Sequence, residues 1–210
     1  MEVETQIISS QEPQAIDLAR EVFARGGLVA FPTDTVYGLG TSAFSAQGIE
    51  AIFRAKGRDT SKAIAVLLGE VEQIGQVTSG LTEAAQRLAA RYWPGPLTLV
   101  VPRHPSLPEN ISPYPTIGLR LPDHAFARAL IRACGPLATT SANRSGGENP
   151  LTAQDVLLQL GGHIDLLIDG GATPGGVPSA VVDCTAAQIK ILRAGPIPAH
   201  ELFRVAGEEL

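Results

Sequence analysis

The chain has 210 residues, 44% of them hydrophobic and 18% charged, which is long enough for a sizeable core and excludes a disordered chain. Its net charge of -5 excludes the broad basic footprint of a nucleic-acid backbone binder, although not a local basic pocket. Two cysteines, Cys134 and Cys184, are too few for a disulfide framework and read as buried free thiols; with no signal peptide and no membrane-length apolar run, the expected location is cytoplasmic.

Ile16, Leu18, Ala19, Val22 and Phe23 predict a helix from just after Ser10 to about Arg25, stopped by Gly26-Gly27. Leu28 to Phe31 reads as a short buried strand ended by Pro32, and Thr33 to Gly40 as a loop of hydroxyls and glycines. Ser45 is placed to cap a helix over Ala46 to Ala55, with Gly57 as its stop. A strand at Ala63 to Leu68, a helix around Leu81 to Tyr92 broken by Pro94-Gly95-Pro96, and a strand at Leu97 to Val101 follow. After a Pro-rich loop to Pro115, Ile117 to Leu121 reads as a strand with Arg120 near its end. Asp123 is expected to cap a helix to about Cys134, and Leu137 to Thr140 forms a strand opening into Ser141-Ala142-Asn143. A helix at Thr152 to Leu160, a strand at Asp165 to Asp169, a Gly-rich loop, and strands at Ala180 to Cys184 and Ile189 to Arg193 complete the core. His200 to Leu210 is expected to be a short helical or frayed tail. This irregular alternation predicts an α/β fold, a twisted mixed sheet flanked by helices, as one domain over 1–210 with its core at about 8–196.

Only three lysines occur, and two of them, Lys56 and Lys62, flank Arg58 just past a predicted helix end. Such cations either complement the helix macrodipole in solvent or suit a phosphate or carboxylate ligand. The loop Thr33 to Gly40 is either a simple turn or a place where backbone amides meet a ligand; it is not a Walker loop. Ser141-Ala142-Asn143 is likewise a turn built on local hydrogen bonds or a polar ligand contact. Arg120, in an otherwise apolar strand, must be paired or face a cavity, which suits a carboxylate clamp, and Arg193 is in a similar position. The stretch Gly170 to Ser179 is expected to be a mobile closing loop. The four histidines have no zinc-site spacing and no Gly-x-Ser-x-Gly elbow occurs; Asp34, Asp169 and Asp183 read as turn or cap residues, with a water-mediated magnesium contact as the other reading.

Six motifs in one order carry a resemblance: Phe31-Pro-Thr-Asp-Thr-Val-Tyr-Gly-Leu-Gly40, Lys56-Gly-Arg58, Trp93-Pro-Gly-Pro-Leu-Thr98, Gly118-Leu-Arg120-Leu-Pro122, Ser141-Ala-Asn143-Arg-Ser-Gly146 and Pro178-Ser179-Ala-Val-Val-Asp183. From about Ile8 to Pro196 the chain closely resembles the YrdC-like threonylcarbamoyl-AMP synthase family. The resemblance implies a large concave, positively lined cavity and a nucleotidyltransferase, an L-threonylcarbamoyladenylate synthase. Such an enzyme converts L-threonine, bicarbonate and ATP, with magnesium, to threonylcarbamoyl-AMP and pyrophosphate for the threonylcarbamoyladenosine modification of tRNA. It further implies Lys56 and Arg58 as catalytic charges, and Arg58, Lys62, Thr116, Ser141, Asn143, Asn149 and Arg193 as ATP-binding residues. Thr35, Leu67, Arg120, Thr139 and Ser179 fall at threonine-binding positions, Leu67 by packing alone. The implied partners are transfer components of the tRNA-modification machinery, with weak direct contact to tRNA and none to a membrane. Asp59 stands where relatives often have Pro and puts a negative charge beside the cations, and Ala180 stands where Thr is common. The extra C-terminal domain of longer relatives is expected to be absent. The alternatives are an RNA-binding module of the same fold and a paralogue with different carbamoyl-adenylate specificity.

Overall fold

The computed structural model describes residues 3–208, so the outermost two residues at each end of the expected 1–210 domain, including the last two of the tail, lie outside the described residues. Ten strands form one sheet in the order β1-β8-β2-β3-β7-β4-β6-β5-β9-β10. They are β1 (Gln6–Ser9), β2 (Val29–Phe31), β3 (Gly38–Ser42), β4 (Ala65–Leu67), β5 (Leu97–Pro102), β6 (Thr116–Arg120), β7 (Leu137–Ser141), β8 (Leu166–Asp169), β9 (Ala180–Asp183) and β10 (Lys190–Arg193). Pairing is mixed: β1 with β8, β8 with β2, β4 with β6 and β5 with β9 are parallel, and the other neighbours are antiparallel.

The helices are α1 (Ala15–Ala24), α2 (Ala46–Lys56), α3 (Ile74–Val77), α4 (Glu83–Tyr92), α5 (Ala125–Cys134), α6 (Ala153–Leu160) and α7 (Ala199–Ala206). The larger core joins the apolar sides of α2, α4, α6 and α7, through residues such as Ile52, Leu88, Val156 and Leu202, to strand residues such as Leu39, Leu99 and Val182. On the other side, a smaller core packs Val22 and Phe23 of α1 and Leu130 and Ile131 of α5 against Phe31, Leu67, Leu137 and Ile168. That cover ends at Leu67, and beyond it the sheet floor is open to a cavity.

Local signals behave as expected in α2. The Ser45 hydroxyl accepts the Gly48 N–H at 3.0 Å, and Gly57 ends the helix at φ +58°, a left-handed turn that favours glycine. Glycine at 48 also lets α2 lie directly on β3, since a Cβ there would stand 2.1 Å from the Thr41 hydroxyl oxygen. Gly48→Ala is therefore expected to destabilise the fold by about 1–3 kcal/mol despite alanine's better helix propensity, read as a lower midpoint of urea unfolding.

Several expectations need correction. The second half of the expected loop Thr33 to Gly40 enters strand β3, between β2 and β7. Its glycines mark a crowded sheet face: a Cβ on Gly38 would come 2.9 Å from Cγ2 of Thr139. Strand β1 was not expected; it adds in parallel to the outside of β8 with Ile7 largely exposed, so it carries no buried-strand pattern. The cap of α5 is His124, whose Nδ1 accepts the Ala127 N–H at 3.3 Å, and not Asp123, which precedes it and stays exposed. The tail contains the regular helix α7, which buries Leu202 and Ala206 against α4 and receives an Arg87 Nε–H at the Ala206 carbonyl. Both cysteines are free; Cys184 is buried and Cys134 only partly so. Among the described residues, no helix is long and apolar enough to cross a membrane.

Candidate active site

Strand register builds the cavity floor in rows. One row runs from Asp183 through Val100 to Gly118, continuing with the paired residues Ala65 and Thr139. Toward α1 and α5, the next row holds Val181 beside Thr98 and Arg120 beside Leu67. On the other side, Thr116 stands opposite Pro102 and Ser141 opposite Gly38. Rows two residues apart are separated by about 7 Å, so the floor presents three tiers across a face from which large side chains are missing. The resulting cavity has a volume of about 720 Å³.

Thr35, Arg58, Leu67, Thr116, Arg120, Thr139, Ser141, Asn149, Ser179 and Arg193 all line this one cavity, although they come from separate loops and strands along the chain. Lys56, Lys62 and Asn143 do not line it. Lys62 is exposed in the turn after α2, and the other two form a buried staple. Lys56 Nζ donates to the backbone carbonyls of Ser141 and Asn143 and, at 3.4 Å, to Oδ1 of Asn143. The Asn143 amide donates to the carbonyls of Arg144 (2.9 Å) and Gly147 (2.8 Å), and its Oδ1 accepts the Ser141 hydroxyl. The reading of Lys56 as a cation facing phosphate is therefore corrected by geometry, because oxygen acceptors of the Ser141–Asn143 turn surround its ammonium. Burial, followed by the nearby charge of Arg58, pulls its pKa from the usual 10.5 to about 7.

At the end of the cavity beneath α1 and α5, Arg120 is buried, and burial works against its charge while Asp34 restores it. Its Nη2 donates to Asp34 Oδ1 at 2.5 Å, Nη1 to the Thr35 hydroxyl at 3.0 Å and Nε to the Gly95 carbonyl at 3.0 Å. The loop is pre-bent for this contact: the Thr33 hydroxyl donates to the Val36 carbonyl at 2.7 Å and accepts the Thr35 N–H at 3.2 Å. Reading Asp34 as a simple turn residue is thus corrected; it is the half-buried counter-charge of Arg120. A neighbouring cation completes this end. Arg193 donates through Nε (3.0 Å) and Nη2 (2.8 Å) to the Ser179 carbonyl, and burial, then the charge of Arg120, lowers its pKa. The Ser179 hydroxyl is held 2.8 Å from that of Thr98. Thr98 is a cavity residue that the sequence reading left inside its motif without a role; its only signal was a hydroxyl at an otherwise apolar strand position.

On the opposite tier, Arg58 donates Nη2 to the Ala63 carbonyl at 2.9 Å, while its buried Nε has no partner among the described residues. A buried N–H without an acceptor costs stability unless a ligand supplies one. Among the described residues, of the three guanidiniums that line the cavity only Arg120 has a carboxylate in salt-bridge reach, so the site favours anions at both ends. The Gly-rich segment is tied down at several points: Gly176 N–H donates to the Thr35 carbonyl, Thr173 N–H to that of Leu151, and the Tyr37 hydroxyl to that of Gly171. Among the described residues no three His, Cys, Asp or Glu side chains converge as metal ligands.

This arrangement has counterparts in known proteins. The Sua5/YciO/YrdC family model, described as telomere recombination, matches residues 21–195, a span that includes every residue lining the cavity. The chain belongs to the Sua5/YciO/YrdC family. A threonylcarbamoyl-AMP synthase of Pyrococcus abyssi is 40% identical over 94% of this chain and 58% of its own length. One from Bacillus subtilis is 38% identical over 97% of this chain and 59% of its own length. The crystal structure of Pyrococcus abyssi Sua5 complexed with L-threonine superposes with a TM-score of 0.90 at 38% identity, covering 99% of this chain and 62% of that one. The chain thus spans about three fifths of the length of these Sua5/YciO/YrdC relatives. The shared fold is the mixed α/β sheet with its concave face.

Proposed function

We propose that this chain is an L-threonylcarbamoyladenylate synthase, which forms threonylcarbamoyl-AMP and pyrophosphate from L-threonine, bicarbonate and ATP. The observation that carries the proposal is the single cavity with two different cationic ends. The end built from Arg120, Thr35, Thr98, Ser179 and Arg193 is small and rich in hydroxyls, and its two cations and one anion leave one net positive charge for an amino-acid carboxylate. The other end offers the unpartnered N–H of Arg58 with Ser141, Thr116 and Asn149, which suits a nucleotide phosphate. The relatives named threonylcarbamoyl-AMP synthase support the same reading.

In this mechanism the amine of threonine adds to carbon dioxide derived from bicarbonate and releases a proton, forming a carbamate. A carbamate oxygen then bonds to the α-phosphorus of ATP as the bond to pyrophosphate breaks. The protein needs no covalent step; it holds the carbamate and the α-phosphate in line and offsets charge on the phosphate oxygens. Arg58 and Arg193 supply charge in the cavity, and Lys56 and Asn143 hold the turn that presents Ser141. Magnesium enters only as the ion that ATP brings with it. The product is handed to the tRNA-modification machinery in the cytoplasm. The test is pyrophosphate release from ATP, which should require both threonine and bicarbonate and yield a product with the mass of threonylcarbamoyl-AMP. Release that ignores threonine, or salt-sensitive RNA binding with no ATP turnover, refutes the proposal.

A further inference from the structure

Among the described residues Asp183 is the sole carboxylate that lines the cavity, against three guanidiniums. It stands on the middle tier at the β9 side, opposite Val100 in the register. Its Oδ1 accepts both the backbone N–H (2.9 Å) and the hydroxyl (2.6 Å) of Thr185. Among the described residues nothing donates to Oδ2, which remains an acceptor held in a fixed orientation. The lining also includes two exposed apolar side chains, Leu192 of β10 on this side, 51% exposed, and Tyr114, which leads into β6, 60% exposed. Large apolar groups left bare at a cavity mouth suit the face of a planar ring.

Electrostatics sets the direction of a ligand along this floor. Asp183 repels phosphate, Arg193, one tier away on β10, is turned onto the Ser179 carbonyl, and Arg58 attracts phosphate from beside β4, three strand spacings or about 14 Å across the sheet. A nucleoside triphosphate therefore lies with its phosphates toward Arg58 and its base toward Leu192. The group between base and phosphates is the sugar, and its hydroxyls are donors for a lone carboxylate oxygen.

We propose that Asp183 is a specificity-determining residue that accepts a hydrogen bond from the ribose hydroxyls and makes the site select ribonucleotides over deoxyribonucleotides. This inference rests on the proposed use of ATP. The experiment compares ATP, 2′-deoxy-ATP and 3′-deoxy-ATP on the wild-type chain, Asp183→Ala and Asp183→Asn, by calorimetric binding and by threonine-dependent pyrophosphate release. The wild type should bind at least one deoxy analogue about tenfold more weakly than ATP, the loss expected for one half-exposed charge-assisted hydrogen bond. Asp183→Ala should weaken ATP by a similar factor, leave that analogue unchanged and so close the gap, without altering the KM for threonine. Asp183→Asn, which retains an oxygen for Thr185, should fold as the wild type does and discriminate less. The inference is overturned if Asp183→Ala and Asp183→Asn discriminate as the wild type does, or if all three nucleotides weaken equally, as a structural role requires. If no nucleotide supports pyrophosphate release, the proposed function fails, while the binding comparison still decides the role of Asp183. Failure of ATP to bind overturns both.

Discussion

Replacing Arg120 with alanine is expected to lower kcat/KM for threonine by about a hundredfold or more, with the larger part in KM, because the amino-acid end loses its innermost cation. The same change should destabilise the fold by about 3–5 kcal/mol, since the Asp34 side chain, only 11% exposed, is left beside Thr35 without its partner. The two losses have different origins and can be separated. Arg120→Met combined with Asp34→Leu removes both buried charges, so unfolding in urea should return toward the wild-type midpoint while threonine use stays lost. Asp34→Asn keeps the shape of the site but removes the competing carboxylate, so this end gains net positive charge and the threonine KM should fall, with little change in the KM for ATP. A wild-type threonine KM in Arg120→Ala refutes the placement of the amino acid at this end.

The second large effect is expected at Lys56. Lys56→Met removes the donors that hold the Ser141 and Asn143 carbonyls, and should cost about 3 kcal/mol of stability by leaving buried oxygens unpaired. It should also lower kcat about a hundredfold, because Ser141 sits on that turn and a displacement of about 1 Å is enough for such a loss. The pH dependence has a definite sign. With the Lys56 pKa held at about 7 by burial and by Arg58, its proton leaves as pH rises through neutrality, and the remaining amine has two N–H bonds for three oxygens. Activity should therefore fall on the alkaline side of about 7 in the wild type, and this limb should be missing in Lys56→Met. Stability moves the other way. The pKa is lower in the folded chain than the ordinary 10.5, so the Lys56 contribution is favourable above about 10.5 and lost as pH falls through about 7. Opposed trends in activity and urea midpoint over this window distinguish a positioning lysine from one that merely supports the fold.

Much of the fold and the site could be read before the tertiary structure. The Ser45 cap and the Gly57 stop of α2, and the apolar runs of β2, β5 and β7, are local signals, and each marks an element of the sheet or its cover. The motifs also picked out most of the side chains that converge on the cavity, because a ligand site constrains residue type as tightly as backbone geometry does. Strand β3 was obscured because Gly38 and Gly40 resemble turn residues, whereas their actual constraint is the lack of room against Thr139 of β7. Strand β1 was obscured because an edge strand with one neighbour and an exposed Ile7 has no burial pattern to reveal it.

By itself the sequence determined the α/β class, the order of most elements, and that Arg120 in an apolar strand required a partner or a cavity. Only the tertiary structure decided which partner each charge takes. Lys56 turns away from the cavity onto a turn 85 residues further along the chain, and Asp34 meets Arg120 across 86 residues. The physical reason is that periodicity and capping report on neighbours within a few turns or one strand. The destination of a buried charge is set instead by which strands become adjacent, and no local pattern encodes that.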